Sequence, residues 1–165
     1  MSLTQEIFSD FASAVIADIR ATMQRTGVNA TGKTSRSLAF TATDSRLQVT
    51  GGVAFTGTDR LSFIESGRGP TRSDQGGVLY PAILEWVNAK SIGSPKQRPS
   101  IARAITKRIH AGGTRLWKNN KTRDIVQENL GNDRIAQLYG ELGNRLFREV
   151  ESQVIKKLRE GAGIR

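Results

Sequence analysis

The stretch SLAFTATDSRLQVTGGVAFT, residues 37–56, decides the fold. Leu38 and Phe40 alternate with small or polar neighbours, and Leu47, Val49, Val53 and Phe55 resume the alternation after Thr43-Asp44-Ser45-Arg46. A period of two sends successive side chains to opposite sides of an extended chain, leaving one face apolar and the other polar. Asp44 and Ser45 suit a tight connection, so the segment reads as an antiparallel hairpin turning at Thr43–Arg46. Gly51-Gly52 inside the second strand points to a bulge or a bend.

An apolar hairpin face needs a cover, and the preceding residues supply one. Leu3, Ile7, Phe11, Val15, Ile19 and Met23 recur every fourth residue, with Phe8 and Ile16 widening the stripe, which predicts a helix from Leu3 to about Arg25. Gly27 then suits a left-handed cap. At the other end, Ile135, Leu138, Leu142, Leu146, Val150, Val154 and Leu158 form the seam of a long helix over about 132–160. Gly140 and Gly143 weaken that helix, by roughly 1 kcal/mol each against alanine, or admit a second helix at close range.

Between hairpin and last helix lie shorter pieces. Leu61 to Ser66 reads as a helical turn or two, followed by a mobile glycine-rich loop over about 66–79. Tyr80-Pro81 opens a helix with Tyr80, Ile83, Leu84 and Val87 inward. A third helix runs from about Pro99 to Ala111, with Ile101, Ile105 and Ile109 on its inner face and Arg103, Lys107 and His110 on the other, and Gly112-Gly113 ends it. No repeat or linker interrupts residues 1–165, so the expectation is one α+β domain: an antiparallel sheet built on the hairpin and covered by the two long helices.

Charge placement is more informative than its total of +10. Trp86 to Arg123 holds ten Lys or Arg and no Asp or Glu, whereas the rest of the chain has 15 of each sign. A block of like charge repels itself, which favours a partner of opposite sign: DNA, RNA or an acidic protein face. Within the basic segment 86–123, Arg103, Lys107, Arg108, Arg115, Lys118 and Lys121 are the candidate contacts, with Trp117 as a flat surface for stacking or as an anchor.

Several chemistries lack their residues. The chain has no cysteine and a single histidine, His110, which excludes thiol catalysis, disulfides and multi-histidine metal centres. His110 has no carboxylate near it in sequence to orient it as a general base. Glu65, Asp74 and Glu85 flank the glycine-rich loop without a spacing that defines a carboxylate pair. Gly27 to Thr34, GVNATGKT, matches the phosphate-binding pattern G-x-x-x-x-G-K-[ST]. That loop requires a strand before it and a helix after it, and here a helix precedes and an alternating segment follows, so a turn is expected instead. The expectation is a protein that is not an enzyme and carries no cofactor. No apolar run approaches the roughly 20 residues that span a bilayer, and the acid-bearing N-terminus does not read as a secretory signal.

Taken together, these segments resemble the neck and tail-completion proteins of tailed bacteriophages, the head–tail joining group. The resemblance is carried by the amphipathic first helix, Thr31-Gly32 and Ser37-Leu38 entering a hairpin, and Phe63-Ile64-Glu65-Ser66-Gly67-Arg68 after it. Ile83-Leu84-Glu85-Trp86-Val87 with Lys90-Ser91-Ile92, Ile101-Ala102-Arg103-Ala104-Ile105 through Gly113-Thr114, and the long last helix complete it. Ser66 stands where that group often has an aromatic residue. The resemblance implies a virion protein, assembled in the host cytoplasm as a homo-oligomeric ring. That ring would join portal-side proteins to the tail, beside other neck and tail proteins and around the path of the genomic DNA. It implies no catalytic residues. The alternative is a free-standing basic nucleic-acid-binding protein.

Overall fold

The computed structural model describes residues 3–45, 50–71 and 77–161. Its elements in chain order are α1 (Leu3–Arg25), α2 (Lys33–Ser37), β1 (Ala39–Ser45), β2 (Thr50–Thr56), α3 (Arg60–Ser66), α4 (Leu79–Ala89), α5 (Arg98–Gly112), α6 (Arg115–Lys118), α7 (Ile125–Asn129) and α8 (Asn132–Gly161). The strands form a two-stranded antiparallel sheet, and the long terminal helices cover it, so the chain is α+β. Backbone contacts sort it into two compact units, Met1–Val15 with Phe40–Ala54 and Asn129–Arg165, and Ile16–Ala39 with Phe55–Glu128.

In the first unit, Ile7 and Phe8 of α1 and Leu138 and Leu142 of α8 are buried together, with Phe11, Ala42 and Val53 packed against them. The period-two reading holds along β1, where Phe40 and Ala42 are half-buried and Thr41 and Thr43 exposed. The strand runs further than the polar residues suggested. Thr43, Asp44 and Ser45 belong to β1, and the connection falls on 46–49, outside the described residues with Leu47 and Val49. One face of a two-stranded sheet can remain in water, so a strand accepts polar residues there without turning. At the glycine pair, β2 continues unbroken from Thr50 to Thr56. The reason for Gly51 is instead close approach: a Cβ there would lie 2.3 Å from Cε2 of the Phe8 ring.

In the second unit, the second half of α1 contributes Ile16, Ile19 and the fully buried Met23. Arg20 donates from Nε to the Ser35 carbonyl (3.0 Å) and from Nη2 to the Leu38 carbonyl (3.1 Å), where the last carbonyls of the short α2 need partners. Helices α4 and α5 pack against each other. The line of α5 that sinks deepest is Ala102 and Thr106, with Ile101, Ile105 and Ile109 only half-buried beside it. This shifts the expected inner face by one residue. Small residues let a neighbouring helix come near, and the Thr106 hydroxyl is satisfied by the Ala102 carbonyl at 2.8 Å.

Helices α2, α6 and α7 were not expected from periodicity, because each spans at most five residues. The glycine-rich segment expected over 66–79 is described only in part. Arg68 and Thr71 are hydrogen-bonded to Thr114 and His110 at the end of α5, 72–76 lie outside the described residues, and Leu79 already belongs to α4. Among the described residues, no helix is long and apolar enough to cross a membrane.

Candidate interaction surfaces

The basic segment is mounted on a locked junction. Gly113, just past α5, and Gly67, just past α3, have φ of +73° and +78°, a backbone region that costs glycine nothing. A Cβ on Gly67 would lie 2.5 Å from Thr114 Oγ1, and one on Gly113 would lie 2.8 Å from the Arg68 carbonyl oxygen. The two glycines therefore let the chain after α3 lie directly on the chain after α5. Across the contact, Thr114 N–H donates to the Arg68 carbonyl (2.8 Å), Arg68 N–H to Thr114 Oγ1 (2.9 Å), and Thr71 N–H to the His110 carbonyl (3.1 Å). Thr114 also caps α6 by accepting from Trp117 N–H. Glu65 holds the next helix in place: its Oε1 accepts from Val126 N–H at 2.9 Å and its carbonyl from Arg123 N–H at 3.0 Å.

On that base, the candidate contacts are all exposed: Arg103, Lys107 and Arg108 on α5, Arg115 and Lys118 on α6, and Lys121 beyond it. At 100° per residue, Arg103, Lys107 and Arg108 span an arc of roughly 140° on the side of α5 away from Ala102 and Thr106. None of the six forms an ion pair among the described residues, and the Arg103 guanidinium lies 5.9 Å from the centroid of the Tyr80 ring. Among the described residues the six cations thus have no carboxylate in an ion pair with them, a surface suited to phosphates or carboxylates.

Two residues read as part of this face have other work. His110 is half-buried, and its Nδ1 is hydrogen-bonded with the Thr71 hydroxyl, so it ties the loop to α5. Trp117 leans on backbone: a Cβ at Gly69 would lie 3.2 Å from its Cε2 and Nε1. One side of the indole is therefore packed, and the side chain as a whole is 47% exposed. The anchoring role is the one the geometry displays.

The remaining carboxylates and the GKT match resolve structurally. Glu65 caps α7, Glu85 pairs with Lys33 at 2.7 Å, and Asp74 lies outside the described residues. Lys33 is thus committed to a carboxylate, Thr34 is buried, and the turn follows helix α1 where a phosphate loop follows a strand. Among the described residues, no three His, Asp or Glu gather into a metal-binding group.

A second surface was not visible in the sequence. Residues of α3, α4, α5 and the chain after α1 enclose a groove of about 300 Å³ with an apolar floor that includes Ile64, Leu79, Ile83 and Ile109. Phe63, Val78 and Trp86 stand on it, partly in water, with Arg60 and Arg68 but no carboxylate among its described lining residues. Residues more than 30 positions apart assemble it, so no local pattern could announce it. No protein-family profile, curated protein or solved structure matches the chain.

Proposed function

We propose that the chain is a structural protein of a tailed phage, a ring-forming neck or tail-completion component between the portal side of the head and the tail. The observation that carries this reading is α8. From Phe147 to Gly161 every residue is exposed, yet Phe147, Val150, Val154 and Leu158 form an apolar line along it. An isolated helix of that length is marginal in water and such a line invites a partner, as an assembly subunit requires. The segment resemblance to neck proteins gives the assembly its kind. The six cations of α5, α6 and Lys121 then face genomic DNA in the lumen or an acidic neighbour. The test is the mass and shape of the concentrated protein by light scattering and electron microscopy. Closed rings of several copies are expected.

The second reading, a free-standing nucleic-acid-binding protein, is favoured by those same six exposed cations. A protein that stays monomeric at high concentration while binding DNA would put it first.

A further inference from the structure

Among the described residues, ten large apolar side chains are exposed, and nine fall into two patches. Phe63, Val78 and Trp86 stand on the groove of the second unit, and Tyr139, Phe147, Val150, Val154, Ile155 and Leu158 stand on α8. One patch is concave and the other is a helix. We infer that the groove of one copy receives the C-terminal half of α8 from a second copy. The inference rests on the assembly reading only in requiring more than one copy.

The exposed stripe on α8 is a surface in its own right. At 100° per residue, Tyr139, Phe147, Val150, Val154 and Leu158 centre roughly 110° around the helix from Ile135, Leu138, Leu142 and Leu146, of which Leu138 and Leu142 lie in the hairpin core. Spacings of four residues make the seam drift round the helix, so the packing that buries its first half cannot bury its second. Gly140 and Gly143 lie on the second side, and a Cβ on either would meet nothing within 4 Å.

Three features select a second copy as the occupant. The groove, about 300 Å³, matches the small end of binding clefts, and a helix offers anchors three and four residues apart, here Phe147, Val150 and Val154. Among the described residues Arg60 and Arg68 line the groove without a carboxylate, and Glu151 flanks the α8 stripe on one side, with Lys157 on the other. An exposed pair of Arg60 with Glu151 adds little strength but sets the direction of the helix. The stripe offers on the order of 500 Å² per copy, below the roughly 800 Å² per partner of a standard interface, so single contacts are weak and a closed set is favoured. A two-fold pairing of α8 with α8 would leave Phe63, Val78 and Trp86 in water. A contact between two different patches repeats from copy to copy, as a ring requires and a two-fold pair does not.

The absence of cysteine makes the test clean. Copies carrying Val78→Cys are mixed with copies carrying Val154→Cys and treated with a short bis-maleimide. The mixed 78–154 product should dominate over both self-products. Val154→Asp, at a position already 50% exposed, should leave the unfolding midpoint unchanged and raise the self-association constant Kd at least tenfold. Arg60→Glu should weaken assembly, and adding Glu151→Arg should restore it. A dominant 154–154 product, or an oligomer lacking the 78–154 link, overturns the inference and leaves the assembly reading standing. A chain that never assembles overturns both.

Discussion

A single added carbon distinguishes Gly51 from Gly52. A Cβ on Gly51 would overlap Cε2 of Phe8 at 2.3 Å, whereas one on Gly52 would meet only Thr43 Oγ1 at 3.8 Å. Phe8 is 7% exposed and sits among Ile7, Leu138 and Leu142, so its ring has nowhere free to go. Gly51→Ala should therefore cost about 1–3 kcal/mol, the range for overfilling a packed core, with Gly52→Ala within about 0.5 kcal/mol of the parent. Urea denaturation of the two variants measures this, and equal losses would remove Phe8 from the explanation. The glycine pair was legible in the sequence as an irregularity. Its cause was not, because the ring that presses on it comes from 43 positions earlier in the chain. Lys33 shows the converse. The missing strand before GKT already argued against phosphate binding; the alternating segment expected after it is instead preceded by helix α2 from Lys33, and the ion pair with Glu85 adds a local reason. Titration calorimetry with magnesium ATP or GTP should register no binding, and Lys33→Ala should change nothing. Micromolar binding lost with that substitution would reverse the argument.

At the scale of elements, long periodic segments were legible and short ones were not. α1 and α8 each carry enough turns for a stripe to register, and both fall where the apolar spacing puts them. α2, α6 and α7 are set by capping and by contacts from elsewhere, as when Glu65 caps α7 across 61 residues of chain. In α5 the boundaries were readable, but the inner line was misplaced by one residue. Counting large apolar side chains favours Ile101, Ile105 and Ile109, whereas close packing places the small Ala102 and Thr106 deepest. The same helix turns its cations outward, which makes a prediction about salt. If Arg103 and Lys107 meet phosphates, the double reversal Arg103→Glu with Lys107→Glu should weaken binding to every DNA sequence alike. It should also flatten the slope of log K against log salt by roughly 2, one phosphate contact accounting for about 0.9. Fluorescence anisotropy with two unrelated duplexes measures both. Sequence-dependent loss or an unchanged slope would remove these residues from the phosphate contacts.

For the whole molecule, the decisive balance is between apolar surface that draws copies together and charge that drives them apart. Each copy carries +10, and all of that excess belongs to residues 86–123. Assembly through α8 and the groove would add ten charges per copy to one particle, and the Arg60 and Glu151 pair is too exposed to offset this. Repulsion between exposed charges falls as the screening length shrinks from roughly 14 Å at 50 mM salt to below 6 Å at 300 mM, while apolar contact is little affected. Self-association of the purified protein should therefore strengthen across that range. Binding to DNA should move the other way, because added salt competes with the counterion release that drives it. A short duplex at low salt should then substitute for salt by supplying the missing negative charge, so that rings form at 50 mM with DNA and at 300 mM without it. Sedimentation velocity at one protein concentration, with and without duplex, separates the two trends. Self-association that instead weakens steeply with salt would mean that ion pairs hold the copies together, and the apolar face of α8 would lose its place in the interface.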